Sequence, residues 1–214
     1  MELLLIRHGE ADPIGVDGGG ATYGDGAPLT ALGRRQAELL GKRLAAIGID
    51  YLYASTVLRA KQTAEIAAPH VGKTVVLDRA FREIDTGQLR AAPRENIQRF
   101  LKDLTAKNGL FTLDFSSRGG EGPAELVKRA SSAVHELVFE RHGEEERVAV
   151  VTHGGFINAA LCALMDVSFT GVMRFSVQNT AINTVRVVAK GHHLIVSVND
   201  YAHLAPLAPA QPGS

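Results

Sequence analysis

The chain of 214 residues carries 23 lysines and arginines against 23 aspartates and glutamates, for a formal net charge of zero, and is 45% hydrophobic. That balance argues against a nucleic acid or an anionic membrane surface as partner, because both call for a basic excess; it leaves room for a local cationic pocket and a substantial core. A single cysteine, Cys162, excludes an internal disulfide framework. No apolar run approaches the ~20 residues of a membrane span, and the N-terminus has no basic-then-apolar leader, so a soluble cytoplasmic protein of one domain is expected.

The first element is Leu3-Leu4-Leu5-Ile6, an apolar run of strand length that stops at Arg7-His8-Gly9-Glu10. An unbroken apolar run predicts a strand covered on both faces, and its carboxyl end is where open α/β sheets place ligands. Residues 11–29 read as a loop with six glycines, Gly15, Gly18, Gly19, Gly20, Gly24 and Gly26, either flanking a site or disordered. Thr30 predicts the cap of a helix with Ala37, Leu40, Leu44 and Ile47 on one face and Gly48 at its end. A strand follows at 49–54, then a helix capped by Ser55 or Thr56 that runs to about Ala68, before Pro69. Residues 73–78 predict a third strand, 79–93 are irregular, 94–104 predict a helix, and Asn108-Gly109 a turn. A long helix at 123–141 turns Leu126, Ala130, Val134, Leu137 and Val138 inward. Residues 147–152 read as a strand, 155–165 as a helix, and 182–188 with 194–198 as an antiparallel hairpin turning at Lys190-Gly191. The alternation predicts a three-layer α/β/α sandwich with a mostly parallel sheet of roughly six strands. The tail, 205–214, with three prolines, is expected to be flexible.

The chemistry-bearing residues fall at strand ends. Arg7 and His8 follow the first strand, Arg59 lies in the first turn of the helix after the second, Glu83 in the loop after the third, and His153 before Gly154-Gly155 at a helix start. In a parallel sheet these ends share one edge, so the side chains are expected to converge. Two arginines suit the equatorial oxygens of a transferring phosphoryl group, a neutral imidazole is a competent nucleophile, and a helix start with glycines brings backbone amides close to an anion. Glu83 is expected to protonate the leaving oxygen, its pKa raised by burial beside a dianion. Each residue also has an ordinary structural reading; what favours the functional one is their coincidence at four strand ends. Other phosphatase chemistries fail on inspection. Cys162 has Ser168 six residues on where a phosphate loop needs arginine, and no P-loop or Gly-x-Ser-x-Gly turn occurs. His70, His135 and His142 read as solvated and His192-His193 as part of the hairpin, so no metal site is expected.

Leu5-Ile6-Arg7-His8-Gly9-Glu10 resembles the first block of the histidine phosphatase superfamily, the phosphoglycerate mutase-like family. The likeness continues in order through Pro28-Leu29-Thr30 with Gly33 and Gln36-Ala37, Ala54-Ser55 to Leu58-Arg59-Ala60, Gln62-Thr63-Ala64, and Arg82-Glu83-Ile84 with Gly87. It goes on through Gly120-Glu121-Gly122 with Glu125-Leu126 and Arg129, Val150-Val151-Thr152-His153-Gly154-Gly155, and Asn179-Thr180-Ala181-Ile182. The resemblance covers roughly residues 2–203 and implies one catalytic domain over 1–204. It implies that His8 becomes a phosphohistidine, that Arg7, Arg59, His153 and the Gly154 amide hold the phosphoryl group, and that Glu83 is the proton donor. It implies no metal or organic cofactor. A small phosphorylated metabolite is the expected partner, and a homodimer is compatible with the sequence. Two departures favour a phosphomonoester hydrolase over a phosphoglycerate-type mutase, while the presence of every residue the mechanism needs argues against a non-catalytic phospho-ligand module. Ala11-Asp12-Pro13-Ile14 stands where many members have Ser/Thr-x-x-Asn, and residues 84–120 are short of the longer Pro- and Arg-rich lid of glycolytic mutases. Tyr23, Phe81, Leu89, Phe100 and Phe111 in the expected walls allow a moderately apolar leaving group.

Overall fold

The computed structural model describes residues 1–12, 25–90, 92, 94–189 and 192–207. Most of the glycine-rich loop, with Ile14 and Tyr23, therefore lies outside the described residues, as do the Lys190-Gly191 turn and 208–214. Among the described residues six strands form one sheet in the order β3-β2-β4-β1-β5-β6. These are β1 (Glu2–Arg7), β2 (Tyr51–Ser55), β3 (Val75–Asp78), β4 (Arg147–Thr152), β5 (Ile182–Ala189) and β6 (His192–Asp200).

The sheet is mixed, where a mostly parallel one was expected. β1, β2, β3 and β4 pair in parallel, but β5 pairs antiparallel with both β1 and β6. The reason is the chain's route. Each of the first three strands is followed by a crossing segment that returns the chain in the same direction. After β4, by contrast, the chain is back at the carboxyl end of β1 by Thr180, whose N–H donates to Arg7 O, so β5 runs down against β1 and turns directly into β6.

The unbroken apolar runs are buried on both faces, as a central strand requires. Leu3 and Leu5 of β1, with Val148 and Val150 of β4, pack into a core under α4 (Pro123–Val134) and α5 (Gly154–Leu164). Leu4 and Ile6, with Ala149 and Val151, face a second core under α1 (Ala31–Ile47) and α2 (Leu58–Val71). α1 behaves as its sequence predicts: Thr30 Oγ1 accepts from the Gly33 N–H at 3.0 Å, and Gly48 closes the helix at φ 77°. α2 differs at both ends. Its cap position is Val57, without a side-chain bond, because Ser55 Oγ is drawn to the Val57 N–H and to His153. It continues past Pro69 to Val71, since a proline in the last turn forfeits a single bond and Gly72 supplies the left-handed end. α3 covers Arg94–Asn108. The helix expected over 123–141 is α-helical only to Val134 and then widens into a π turn over His135–Phe139, which carries Val138 inward. A 3₁₀ helix, Ala202–Leu207, spans the start of the expected flexible tail. Among the described residues no helix is long and apolar enough to cross a membrane.

Candidate active site

β1 and β4 are neighbours at the centre of the sheet, with Arg7 opposite Thr152. His8 and His153 are the next residues on the two strands, and their ring centroids lie 5.2 Å apart. Two residues separate α2 from the end of β2, and the first turn of the helix carries Arg59 between the imidazoles. Arg59 Nε donates to His8 Nε2 at 3.0 Å and Nη2 to His153 Nδ1 at 3.2 Å. These bonds settle both tautomers, because guanidinium only donates and a carbonyl only accepts. His8 holds its proton on Nδ1, which donates to Gly9 O at 2.7 Å, and presents a lone pair on Nε2. His153 holds its proton on Nε2, which donates to Ser55 Oγ at 2.9 Å. Burial foremost, then the Arg59 charge, pushes both imidazoles well below the ordinary histidine range, so both are neutral.

The floor is held from several elements. Gly9 N–H donates to Thr63 Oγ1 at 3.0 Å, and that hydroxyl donates on to Arg59 O at 2.7 Å. Asn179 Nδ2 donates to His8 O at 3.0 Å, and the Thr180 N–H to Arg7 O at 3.0 Å, with Thr180 at φ 57°. A Cβ on Gly33 would collide with Glu10 O, so only glycine lets α1 approach the strand end this closely. Arg7 donates from Nη1 to Val177 O at 2.6 Å, while its Nε is buried without a hydrogen-bond partner. A buried cationic donor without a partner suits an anion with several oxygens.

Arg7, His8, Arg59, Glu83 and Gly154 all line a cavity of about 1160 Å³. Glu83 reaches it across the start of α5. Oε1 accepts from the N–H groups of Ile84 and Phe156 at 3.0 and 3.1 Å, and Oε2 from Gly155 at 3.0 Å. This alters one expectation: the Gly155 amide is taken by Glu83 and does not face a bound anion in the cavity. Gly155 is required for that contact, since a Cβ there would overlap Glu83 Oε1. The segment behind Glu83 is clamped by Arg129, which takes Glu121 in a bidentate pair and donates to the carbonyls of Ala80, Arg82 and Glu83. His153, expected to touch the ligand, is fully buried behind Arg59.

Sequence reasoning assigned no role to Ser55, Thr63, Arg129 or Asn179. All four lie in blocks that carry the family resemblance, and Ser55 reads from the sequence alone only as a helix cap. His142 is also corrected. Its side chain is 4% exposed, packed against Tyr51 and bonded through Nε2 to Tyr53 OH at 2.9 Å, so it is not solvated. Of the aromatic and apolar residues expected to wall the site, Phe81 is in the core, Leu89 and Phe100 pack against it, and Phe111 lines the cavity.

Two imidazoles and two arginines gathered at one strand edge suit the chemistry of phosphoryl transfer, and the comparisons point the same way. The profile of the histidine phosphatase superfamily (branch 1) matches residues 3–200, and the chain belongs to that superfamily. A probable phosphoglycerate mutase GpmB of Yersinia enterocolitica is 29% identical over 213 residues, 95% of each chain. Among solved structures, a phosphoserine phosphatase mutant from Entamoeba histolytica in complex with phosphoserine superposes with a TM-score of 0.73 at 26% identity, covering 95% of this chain and 98% of that one. YhfR of Bacillus stearothermophilus gives 0.77 at 26% identity, with the same coverage.

Proposed function

We propose that the chain is a phosphomonoester hydrolase that passes the phosphoryl group through His8. The observation that carries this reading is the state of that imidazole: neutral, with Nδ1–H held by Gly9 O and the Nε2 lone pair accepting from Arg59 Nε at 3.0 Å, a bond that passes to a phosphoryl oxygen before Nε2 meets phosphorus. In the first step Nε2 attacks phosphorus, the bond from phosphorus to the ester oxygen breaks, and Glu83 delivers a proton to the departing alkoxide. In the second, water attacks the phosphohistidine, Glu83 takes its proton, and orthophosphate leaves with His8 restored. Glu83 Oε2, with one backbone donor against two on Oε1, is the oxygen with room for that proton. Arg7 Nε and the Arg59 guanidinium would meet the equatorial oxygens, where charge develops. A bound phosphoryl oxygen would draw Arg59 Nη2 away from His153. His153 Nδ1 could then face the oxygen as a donor, since the Ser55 hydroxyl serves either tautomer by accepting from Nε2 or donating to it.

The curated relatives support a second reading, a phosphomutase of the phosphoglycerate type. It differs in the fate of the phosphohistidine, which must be returned to an organic hydroxyl with water excluded. Quenching a reaction with labelled 4-nitrophenyl phosphate tests the shared step: an acid-labile, base-stable phosphoenzyme is expected, and none from His8→Ala. Phosphorus NMR of the products separates the readings, with orthophosphate alone supporting hydrolysis and a regioisomer of a phosphoglycerate supporting the mutase. Tight phosphate binding with no phosphoenzyme would leave only a binding module.

A further inference from the structure

Beyond the phosphate cradle, the cavity is walled by Leu101, Phe111, Leu113, Met173 and Phe175. Phe111 stands 46% exposed, a large apolar side chain with much of its surface uncovered. The charges in this outer part close on one another. Arg82 pairs with Asp25, Arg90 with Asp85 at 2.6 Å, and Arg129 with Glu121 at 2.7 Å. With exposed Arg79 at one side and Glu10 and Glu83 added, four arginines face five carboxylates among the described lining residues outside the cradle. A leaving group bearing a carboxylate or a second phosphate would find no surplus of positive charge there and would compete with pairs already made. The space, about 1160 Å³, also exceeds the roughly 300–1,000 Å³ usual for small-ligand pockets.

We infer that the cavity takes the phosphate monoester of a bulky, uncharged, apolar alcohol, aryl or long alkyl, in preference to a phosphorylated acid. Turnover of such an ester rests on the hydrolase reading above; its binding does not. The experiment therefore reads the two separately. Calorimetry with non-hydrolysable alkylphosphonates, from ethyl to octyl, reports the wall without chemistry. Affinity should rise about three- to fourfold for each methylene that leaves water. Phe111→Ser should flatten that series, with circular dichroism confirming the fold, and Met173→Ser serves as a second wall variant. A flat series in the unmodified protein, or 3-phosphoglycerate or phosphoserine binding more tightly than octylphosphonate, would overturn the inference. Phosphate release from the matching alkyl phosphates is followed in parallel. Their leaving groups are nearly equal in reactivity, so a rising kcat/KM with length reports the same wall. Chain-length-dependent binding without release would uphold the ligand class and sink the hydrolase; release with a flat series would do the reverse.

Discussion

Gly155→Ala places one methyl group against the proposed acid, and its consequence follows from the geometry. The new Cβ would lie 3.1 Å from the Glu83 carboxyl carbon and Leu113 Cδ1, and nearer still to Oε1. Ordinary carbon contacts lie at about 3.5–4.0 Å, so the carboxylate must retreat by roughly 0.5–1 Å. That retreat stretches or breaks its bonds from the Gly155 and Phe156 N–H groups. A misplacement of about 1 Å can cost on the order of 100-fold in rate, within the ~10²–10⁴-fold that general acid catalysis supplies. The loss should fall on the step that needs a proton. On an alkyl phosphate, with its poor leaving group, kcat/KM should drop about 100-fold; on 4-nitrophenyl phosphate, whose leaving group departs unprotonated, it should change less than about fivefold. Glu83→Gln should show the same split. The double variant should be little worse than Glu83→Gln alone, because both changes remove one function. Equal losses on the two esters, or additive losses in the double variant, would refute the placement of Glu83 as acid.

Arg59→Lys exchanges a fork that spans both imidazoles for a single ammonium, and should lower kcat/KM by about 100-fold or more for alkyl and aryl esters alike; a loss confined to alkyl esters would contradict a charge-stabilising role. Ser55→Ala removes the partner of His153 Nε2 in either tautomer and should lower kcat by roughly 10- to 100-fold with KM little changed; rescue by Ser55→Thr would tie the effect to the hydroxyl. The two buried histidines also make the ligand-free fold acid-sensitive. Their folded pKa values lie below the ordinary 6.5, so below that pH the unfolded chain binds protons that the folded one does not, and stability falls as pH drops. Each contributes up to about 1.4 kcal/mol per pH unit in that window. Urea unfolding at pH 7.5 and 5.0 should show a smaller acid loss in His8→Asn than in the unmodified protein, and an unchanged loss would contradict burial of a neutral imidazole.

Local sequence carried the elements that depend on pattern alone. The apolar runs of β1 and β4 follow from burial on two faces, and the Thr30 and Gly48 ends of α1 from a capping hydroxyl and a left-handed residue, each expressed within a few positions; the pairing of β5 with β6 follows from two strand-length runs a few residues apart. Placing Arg7, His8, Arg59, Glu83 and His153 at strand ends was enough to anticipate that they would meet. What they do on meeting required the fold. The register that sets Arg7 beside Thr152 brings the two imidazoles together, and the chain's return through β5 makes the sheet mixed. Arg59 lies in front of His153, Ser55 serves His153 and not a helix, and the Gly155 amide serves Glu83. None of these could be read from one stretch of chain. A hydrogen bond selects its partner by distance and angle, and those are set by segments that lie 72 to 98 residues apart in sequence and adjoin only after the sheet has formed.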